Sequence, residues 1–281
     1  MKTYLDCLPC FLNQALRAAR IATDDEKKIK KVLDEVGMML KNIPLKSSPP
    51  ESGRLIYRKV GEITGNLDPF REIKGKSTEQ ALSLYPSMKS LVEKSNDRLL
   101  TAIRISIAGN VIDFGANWRF DLNAEVAEIL VRDFAVCDYK RFKDQLNEAH
   151  KILYIGDNAG ECVFDRILIE EMKKPVIYVV RDIPIINDAT YEDAEQAGID
   201  KVATILSSGT DGPGTILKTC SPEFKRIYDS AEFIISKGQG NYEALSNEKR
   251  PIFYLLKAKC HVIANDIGVG EGDIVLKAKQ R

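Results

Sequence analysis

Polar residues that could bind a metal ion and a phosphate follow four short apolar runs of the chain. In chain order they are Asp157, Asn158 and Glu161, then Asp182, Asn187 and Asp188, then Ser207 to Gly214, and finally Lys237, Gly238, Gln239, Gly240 and Asn241. A metal-bound phosphate requires hard oxygen ligands, backbone N–H groups that can approach closely, and a cation near the phosphoryl oxygens. Because the four segments contain all of these, we predict that they form one site.

The first of these segments, KILYIGDNAGECVFDRILIEEM, has the pattern of a buried strand that leads into a helix. Its apolar run ends at Gly156, and apolar residues at helical spacing begin after Gly160. In open parallel sheets, ligands bind beyond the carboxyl ends of the strands. Asp157 and Asn158 lie at that point, beside a helix N-terminus that attracts anions. We therefore predict that these two side chains bind a divalent metal that holds a phosphate.

Each feature also has a purely structural interpretation. Asp157 and Asn158 could shape a turn and cap the helix, the segment 207–214 could be a simple connection, and Lys237 could be solvated. Asp188 could cap a helix, but the Thr190 and Asp193 pair already has capping-box spacing, which favours a ligand role for Asp188. The prediction therefore depends on the convergence of the four segments.

The second part of the chain alternates apolar runs with helical patterns. We expect strands at 151–156, 176–180, 202–206, 233–236 and 274–276, with further apolar runs at 252–256 and 262–264. We expect helices at 124–134, 139–149, 160–172 and 190–197, a short one after the segment 207–215, and others at 222–228 and after the segment 237–243. This alternation predicts a three-layer, Rossmann-like α/β/α domain with a mostly parallel sheet over residues 109–281.

Residues 1–108 show helical patterns only, which predicts an all-α N-terminal domain. The expected helices cover 8–21, 29–40, 54–64, 77–94 and 98–107. Prolines in KSSPPESG are expected to stop the second helix, Pro86 to interrupt the fourth, and Gly109 to end the fifth. The following stretch, AGNVIDFGANWRFDLN, has the composition of a loop that reaches into a neighbouring cleft, and it contains Asn110.

Composition excludes several classes of function. Among the 281 residues, Lys plus Arg and Asp plus Glu number 41 each, so no overall field favours nucleic acid or an anionic membrane. No apolar run approaches the length of a membrane span, and the N-terminus lacks the pattern of a signal peptide, so we expect a cytoplasmic protein. Two histidines disfavour a His-rich zinc site, and the chain has no Walker, GxGxxG or GxSxG motif in the required context.

Four motifs together resemble the metal-dependent damage-control phosphatases, a family long catalogued as domain of unknown function eighty-nine. They are GDNAGE (156–161), PIINDAT (184–190), SSGTDGPGT (207–215) and KGQGNYE (237–243). The CLPC sequence at 7–10 and AGNVIDFG at 108–115 are similar to its microbial branch. The motifs follow one another in order, and the resemblance runs over nearly the whole chain.

The resemblance implies a helical N-terminal domain on an α/β/α domain and a phosphatase that hydrolyses sugar phosphates or damaged phosphometabolites. It implies that Asp157, Asn158 and Asp188 bind a divalent metal, for which we expect Mg, Mn, Co or Ni. Lys237 is expected to stabilise the phosphoryl oxygens. The residues expected near the substrate are Glu161, Ser208, Gly209, Thr210, Asn241 and Asn110. Glu161 and Asp182 are candidates for the general base, and Gln239 stands where related branches have an acidic residue.

Cys7 and Cys10 have CxxC spacing but no second pair, so they cannot fill a tetrahedral zinc site unless Cys137 or His150 joins them. We expect structural or incidental metal binding at this pair ahead of a redox role. Two alternatives to the phosphatase remain open from the residues. One is a nucleotide- or S-adenosylmethionine-binding module, similar to a methyltransferase, that needs no metal. The other is a sensor or scaffold whose helical part binds a partner.

Overall fold

In the part of the chain that the structure describes, five helices precede the first strand, and several of their boundaries differ from the sequence prediction. A computed structural model describes residues 1–111 and 132–279, with the side chains at 110 and 111 excluded. The helices are α1 (Cys7–Ala22), α2 (Glu26–Leu40), α3 (Pro49–Thr64), α4 (Arg71–Lys94) and α5 (Arg98–Val111). The prolines of KSSPPESG begin α3, because proline fits the first helical positions and Ser48 with Glu51 forms a capping box.

Helices α4 and α5 both continue past the residues expected to interrupt or end them. Pro86 lies inside the 24-residue α4, where Ala81 and Met88 on either side of it are buried in one core. That shared burial holds the two halves of the helix together although proline supplies no N–H for the helical hydrogen bond. Gly109 lies within α5 because the missing side chain leaves room for Phe164.

A mostly parallel sheet forms the centre of the rest of the chain. Its strands in the described residues are β1 (Phe134–Cys137), β2 (Ile152–Ile155), β3 (Val176–Val180), β4 (Thr204–Ser207), β5 (Phe233–Lys237), β6 (Phe253–Lys257) and β7 (Ile274–Ala278). Their order is β1-β7-β6-β5-β2-β3-β4, and only β6 with β7 is antiparallel. The strand β1 was not expected. The helix predicted over 124–134 is wrong at Phe134, which pairs with β7, and residues 124–131 lie outside the described residues.

Helices cover both faces of this sheet, which confirms the three-layer α/β/α prediction. They are α6 (Tyr139–Glu148), α7 (Glu161–Met172), α8 (Tyr191–Gln196), α9 (Pro222–Ser230), α10 (Gly238–Leu245) and α11 (His261–Ile267), with a short turn of 3-10 helix at Ile199–Lys201. The apolar run 262–264 belongs to α11. The short helix expected after the segment 207–215 is wrong, because residues 217–219 form only a turn.

Alternate strand residues contribute to two cores on opposite faces of the sheet. Ile152 and Tyr154 pack with α4, α5, α6 and α7, whereas Leu153 and Ile155 pack with α9, α10 and α11. Helices α1, α2 and α3 share a separate apolar core. The domain boundary at residue 108 stays a prediction, and α4 and α5 share the sheet's core. In the part of the chain that the structure describes, no helix is long and apolar enough to cross a membrane.

Candidate metal and phosphate site

The strand order brings the four predicted loops to one edge of the sheet. Strands β5, β2, β3 and β4 are consecutive neighbours and all parallel, so their carboxyl ends meet on the same side. Asp157 follows β2, Arg181 follows β3, and Ser208 follows β4. Lys237 is the last residue of β5. The expectation that the four loops gather at one edge is confirmed by this topology.

Backbone hydrogen bonds join the loops after β2 and β3. Asn158 and Asp188 form an isolated antiparallel bridge, and the Ala189 N–H donates to the Asp157 carbonyl over 2.8 Å. The Ala159 N–H donates to the Asn187 carbonyl over 2.9 Å. This pairing holds Asp157, Asn158 and Asp188 in the wall of one cavity of about 270 Å³, hereafter the metal cavity. Three predicted metal ligands from two separate loops therefore lie together.

The amide of Asn158 is oriented by two carboxylates. Its Nδ2 donates to Asp157 Oδ2 over 3.1 Å and to Glu161 Oε2 over 3.0 Å. Because both hydrogens of this amide point toward carboxylates, its Oδ1 is left for another partner and makes no hydrogen bond within the described residues. Glu161 is fully buried and lies outside the wall of the metal cavity. The prediction that Glu161 binds substrate or acts as the base is not supported by this position, which orients Asn158 instead.

Arg181 is a central residue of the site that the sequence analysis missed. Its guanidinium is almost fully buried and donates from Nε to Asp188 Oδ2 over 2.7 Å. It also donates to Thr215 Oγ1 over 3.3 Å and to Asn241 Oδ1 over 3.1 Å, and its Nη2 lies 3.7 Å from Asp157 Oδ1. An arginine immediately after the entirely apolar strand β3 was the available signal, because a buried cation requires acidic partners.

Burial raises the pKa values of both carboxylates of the metal cavity. Burial raises the pKa of Asp157 to about 8, with the charges of Asp188 and Glu161 adding to the rise and Arg181 opposing it. Burial also raises the pKa of Asp188, and Arg181 opposes part of that rise. A cation bound between these carboxylates would stabilise their charged forms.

The donor set fits a hard divalent cation. Asp157, Asn158 and Asp188 offer carboxylate and amide oxygens, which Mg²⁺ and Mn²⁺ prefer. Asp188 uses Oδ2 for Arg181 and Gly214, and its Oδ1 has no hydrogen bond within residues 1–111 and 132–279. Over these same residues, no group of three or more His, Cys, Asp or Glu side chains is placed to hold a metal, so a cation here would rely on Asn158 and on non-protein oxygens.

Lys237 is not placed as the sequence analysis predicted. Its ammonium is fully buried and donates to the Ser106 carbonyl over 2.9 Å and to Glu161 Oε1 and Asp165 Oδ1, each over 2.5 Å. All three N–H donors are therefore used inside the protein. Burial lowers the pKa of Lys237, but the Asp165 and Glu161 charges outweigh it, and the pKa is raised. Lys237 compensates part of the charge of two buried carboxylates, and none of its N–H donors is left for a phosphoryl oxygen.

Asn241 and the third loop are also committed to internal hydrogen bonds. Asn241 Nδ2 donates to the carbonyls of Gly156 and Lys237 over 2.9 and 2.8 Å, and its Oδ1 accepts from Thr215 and Arg181. It therefore joins three loops, and both polar atoms of its side chain are used in hydrogen bonds within the protein. Its role here differs from the predicted substrate contact.

Three predicted substrate residues after β4 lie away from the metal cavity wall. Ser208 is fully buried and donates from Oγ to the Val180 carbonyl over 2.8 Å, and Thr210 Oγ1 lies 2.7 Å from Thr219 Oγ1. Gly209 has φ +76, and a Cβ there would lie 2.6 Å from the Ser221 nitrogen, so it is required by the turn. This loop lines the metal cavity through Pro213 instead.

Two further predicted residues are placed as follows. Asp182 accepts from Ser207 Oγ over 2.7 Å and lines a different cavity, so its position does not support the general-base prediction. The side chain of Asn110 lies outside the described residues, and its predicted substrate contact stays a prediction. Residues 112–131, which include the rest of the stretch AGNVIDFGANWRFDLN, are outside the described residues as well.

The metal cavity also contains Gln239 of the fourth predicted segment and three side chains that the sequence analysis did not select. These three are Gln14, Arg17 and Lys259. Gln14 and Arg17 lie on α1, so the helical part of the chain forms one wall of the cavity. No periodicity indicated this role, because only the packing of α1 on the sheet edge brings these residues near Asp157. Cations in this wall suit an anionic ligand such as a phosphate.

The cysteines of CLPC lie beside the same wall. All six cysteines are free thiols, and Cys10 accepts a hydrogen bond from Gln14 over 3.3 Å while Cys260 accepts one from Gln239 over 3.7 Å. Burial raises the pKa of the Cys7 and Cys10 thiols. Neither Cys137 nor His150 joins them in a metal-binding group of the described residues. The structural or incidental metal binding expected of Cys7 and Cys10 stays a prediction.

A family model described as the damage-control phosphatase ARMT1-like domain matches residues 3–275 of the chain. A protein named damage-control phosphatase from Pyrococcus horikoshii is 38% identical to this chain. The alignment covers 98% of this chain and 97% of that protein. One of the same name from Archaeoglobus fulgidus is 37% identical over 96% of this chain and 97% of its own. The crystal structure of a DUF89 family protein from Pyrococcus horikoshii superposes with a TM-score of 0.92 at 35% identity and covers 100% of both chains.

Proposed function

The chain belongs to the damage-control phosphatase ARMT1-like family, and from this premise we propose that it is a metal-dependent phosphomonoester hydrolase. Its proposed substrates are small phosphorylated metabolites, such as sugar phosphates or damaged phosphometabolites. The family membership supports a phosphatase in general, whereas the metal dependence and the substrate class are our proposal. The cytoplasmic location expected from the sequence stays a prediction.

One observation carries the metal dependence. Asp157, Asn158 and Asp188, from two loops at the carboxyl edge of the sheet, line a single cavity. The two carboxylates are buried side by side with raised pKa values, a situation that a divalent cation would relieve. A nucleotide- or S-adenosylmethionine-binding module that needs no metal would not account for this arrangement of buried oxygen ligands, and this favours the phosphatase over that alternative.

The described residues have distinct roles in the proposed reaction. A divalent metal, when bound, would supply Lewis-acid polarisation of a phosphoryl oxygen and a water of lowered pKa. Asp157, Asn158 and Asp188 would hold it, and Arg17 and Lys259 in the cavity wall would attract the phosphate dianion. Lys237 acts at a distance, since it holds Glu161, and Glu161 in turn accepts from the Asn158 amide.

The overall chemistry is hydrolysis of a phosphate monoester. Water adds to phosphorus as the bond between phosphorus and the ester oxygen breaks. The organic part leaves as an alcohol, which takes one proton of the water, and the hydroxyl remains on the phosphate. No oxidant, reductant or second substrate is required.

The test is phosphate release by metal-stripped protein with single divalent ions added back. We expect turnover only with metal, and we expect Asp157→Ala to reduce it by about 10³-fold or more while the protein stays folded. Asp182→Ala is the matched control, because Asp182 follows the neighbouring strand but lies outside the metal cavity. This control should retain turnover within about threefold of the unmodified chain.

Two outcomes would contradict the proposal. If Asp157→Ala kept its phosphatase activity, the assignment of the metal ligands would be wrong. If no metal and no phosphate ester in the panel gave turnover, while a nucleotide or a methyl donor bound without metal, the binding-module interpretation would replace the phosphatase.

A further inference from the structure

A second cavity of about 330 Å³ lies beside the metal cavity and is hereafter called the apolar cavity. It is enclosed by α1, α3, the segment 66–70 and the loops that follow β3 and β4. Apolar side chains form most of its wall, among them Val60, Leu67, Phe70, Ile183 and Ile185. Its volume is at the lower end of the range of about 300–1,000 Å³ that is usual for small-molecule sites.

The two cavities share part of their walls. Ala18, Tyr57, Phe70 and Ile186 line both of them. A phosphate ester with its phosphoryl group near Asp157 would therefore have the apolar cavity as the adjoining space for its organic part. The side chains between the cavities come from α1, α3, the segment 66–70 and the loop after β3. The placement of the two cavities next to each other therefore depends on packing between the helical part and the sheet edge.

Ile186, in this shared wall, has a strained backbone. Its φ of +41 lies in the left-handed region, which a β-branched residue rarely adopts. Strained conformations of this kind are concentrated at ligand-binding sites, where the surrounding structure holds them in place. Here the surroundings are the joined loops that carry Asp188, and the conformation places an isoleucine in the wall of both cavities.

The rim of the apolar cavity combines exposed apolar side chains with two arginines that share one carboxylate. Leu67 is 80% exposed and Ile183 is 47% exposed, so neither contributes much to the folded core. Arg54 and Arg58, which also line the cavity, both bind the carboxylate of Asp211. A second phosphate group would have to compete with Asp211 for these arginines. The chemistry therefore favours an apolar occupant.

We propose that the apolar cavity binds the organic part of the phosphate ester. Among the small phosphorylated metabolites proposed above, the preferred substrates are then phosphate monoesters whose alcohol carries an apolar ring or chain, ahead of fully hydroxylated ones such as sugar phosphates. This inference rests on the proposed phosphatase function and narrows its substrate class. The phosphate binds in the metal cavity, and the apolar group extends past Tyr57, Phe70 and Ile186 into the apolar cavity.

The test compares hydrolysis of naphthyl phosphate and glycerol phosphate by the holoenzyme. We expect a higher kcat/KM for naphthyl phosphate by roughly tenfold or more. Because a naphthol is also a better leaving group than glycerol, the rim variants are needed to separate binding in the apolar cavity from leaving-group reactivity. Leu67→Glu and Ile183→Glu place a charge at the rim without disturbing the core. We expect each to lower kcat/KM for naphthyl phosphate about tenfold and to leave glycerol phosphate within about twofold.

Leu55→Glu is the matched control, because Leu55 is 47% exposed on α3 and lies outside both cavities. This variant should leave kcat/KM unchanged for both esters. If the two esters were hydrolysed equally well, or if the rim variants lowered both to the same extent, the inference would be overturned while the phosphatase function stood.

A binding measurement keeps the inference testable if no ester is hydrolysed. Naphthyl phosphate is titrated into the metal-loaded protein, with naphthalene fluorescence as the signal. Binding that Leu67→Glu weakens and Leu55→Glu leaves unchanged would support the apolar cavity although the proposed function had failed. Binding that is absent, or equal in both variants, would refute the cavity assignment.

Discussion

At the scale of single residues, the site depends on one buried lysine that lies between two buried carboxylates. Lys237 contacts Glu161 and Asp165, and all three side chains are fully buried. Asp165 also accepts from the hydroxyls of Tyr154 and Tyr178, each over 2.8 Å. Burial raises the pKa of Asp165, and Lys237 opposes that rise. The lysine therefore stabilises the arrangement from which Glu161 orients Asn158.

Lys237→Met tests whether this lysine is structural. Removal of one partner of a buried ion pair leaves uncompensated charge, so we expect the free energy of unfolding to fall by about 3–5 kcal/mol. Denaturant unfolding of the metal-free protein measures this change. A direct phosphate contact predicts the opposite result, namely a normal unfolding free energy with lost turnover.

The double variant Lys237→Met, Asp165→Asn provides the control. Because it removes one of the two carboxylates with the lysine, its unfolding free energy should exceed that of Lys237→Met alone. If the second substitution made the protein still less stable, Asp165 would not be the counter-charge of Lys237.

At the scale of elements, α5 and α7 pack closely against each other, and Gly109 lies at the point of closest approach. A Cβ at Gly109 would lie 2.8 Å from Phe164 Cδ2 and 3.1 Å from Phe164 Cβ, which is closer than carbon atoms approach without a shift. The absent side chain therefore lets α5 lie directly on α7, which begins with Glu161. This contact also brings the Ser106 carbonyl of α5 to Lys237.

Gly109→Ala should destabilise the fold in spite of the better helix propensity of alanine. Overpacking of a filled core costs about 1–3 kcal/mol, compared with a gain of up to about 1 kcal/mol from helix propensity. Thermal unfolding measures the difference. Gly37→Ala in α2 is the matched control, since a Cβ there meets nothing within 4 Å and the substitution should raise stability slightly. A Gly109→Ala variant as stable as this control would show that α5 and α7 can separate without cost.

At the scale of the whole molecule, the metal cavity joins two separately packed parts. Helices α1 and α3 have a core of their own, yet Gln14 and Tyr57 line the cavity together with Asp157 and Asp188 from the sheet edge. A ligand bound there contacts both parts in the folded state and has no such site in the unfolded chain. Binding must therefore stabilise the whole fold.

Addition of Mg²⁺ or Mn²⁺ should raise the melting temperature of the metal-stripped protein. The expected gain is about 2.7 kcal/mol when the free ion is at roughly 100 times its Kd, which corresponds to a rise of several degrees. Calorimetry with and without chelator measures it. Asp157→Ala should lose the rise and Asp182→Ala should keep it. An equal rise in both variants would place the ion elsewhere.

Much of the site was predictable from the sequence because it depends on local order. Asp157 and Asn158 were expected just after a strand end, and they lie there because an apolar run followed by a polar turn defines where a strand stops. Asp188 was expected in the loop after the next strand, and it lies in that loop, well beyond the last strand residue Val180. The four loops were expected to gather, and they do because parallel strands bring their carboxyl ends to one edge. The α/β/α architecture followed from the alternation of elements.

The tertiary structure alone decided which polar groups meet across the sheet edge. Lys237 has the same sequence context whether it contacts a phosphate or Glu161, and only the approach of α5 and α7 settles its partners. The hydrogen bond between Arg181 and Asn241 likewise joins loops that are far apart in the chain. Local patterns determine where each element begins and ends, whereas buried charges are assigned by distances of a few ångströms between elements that the sequence leaves unspecified.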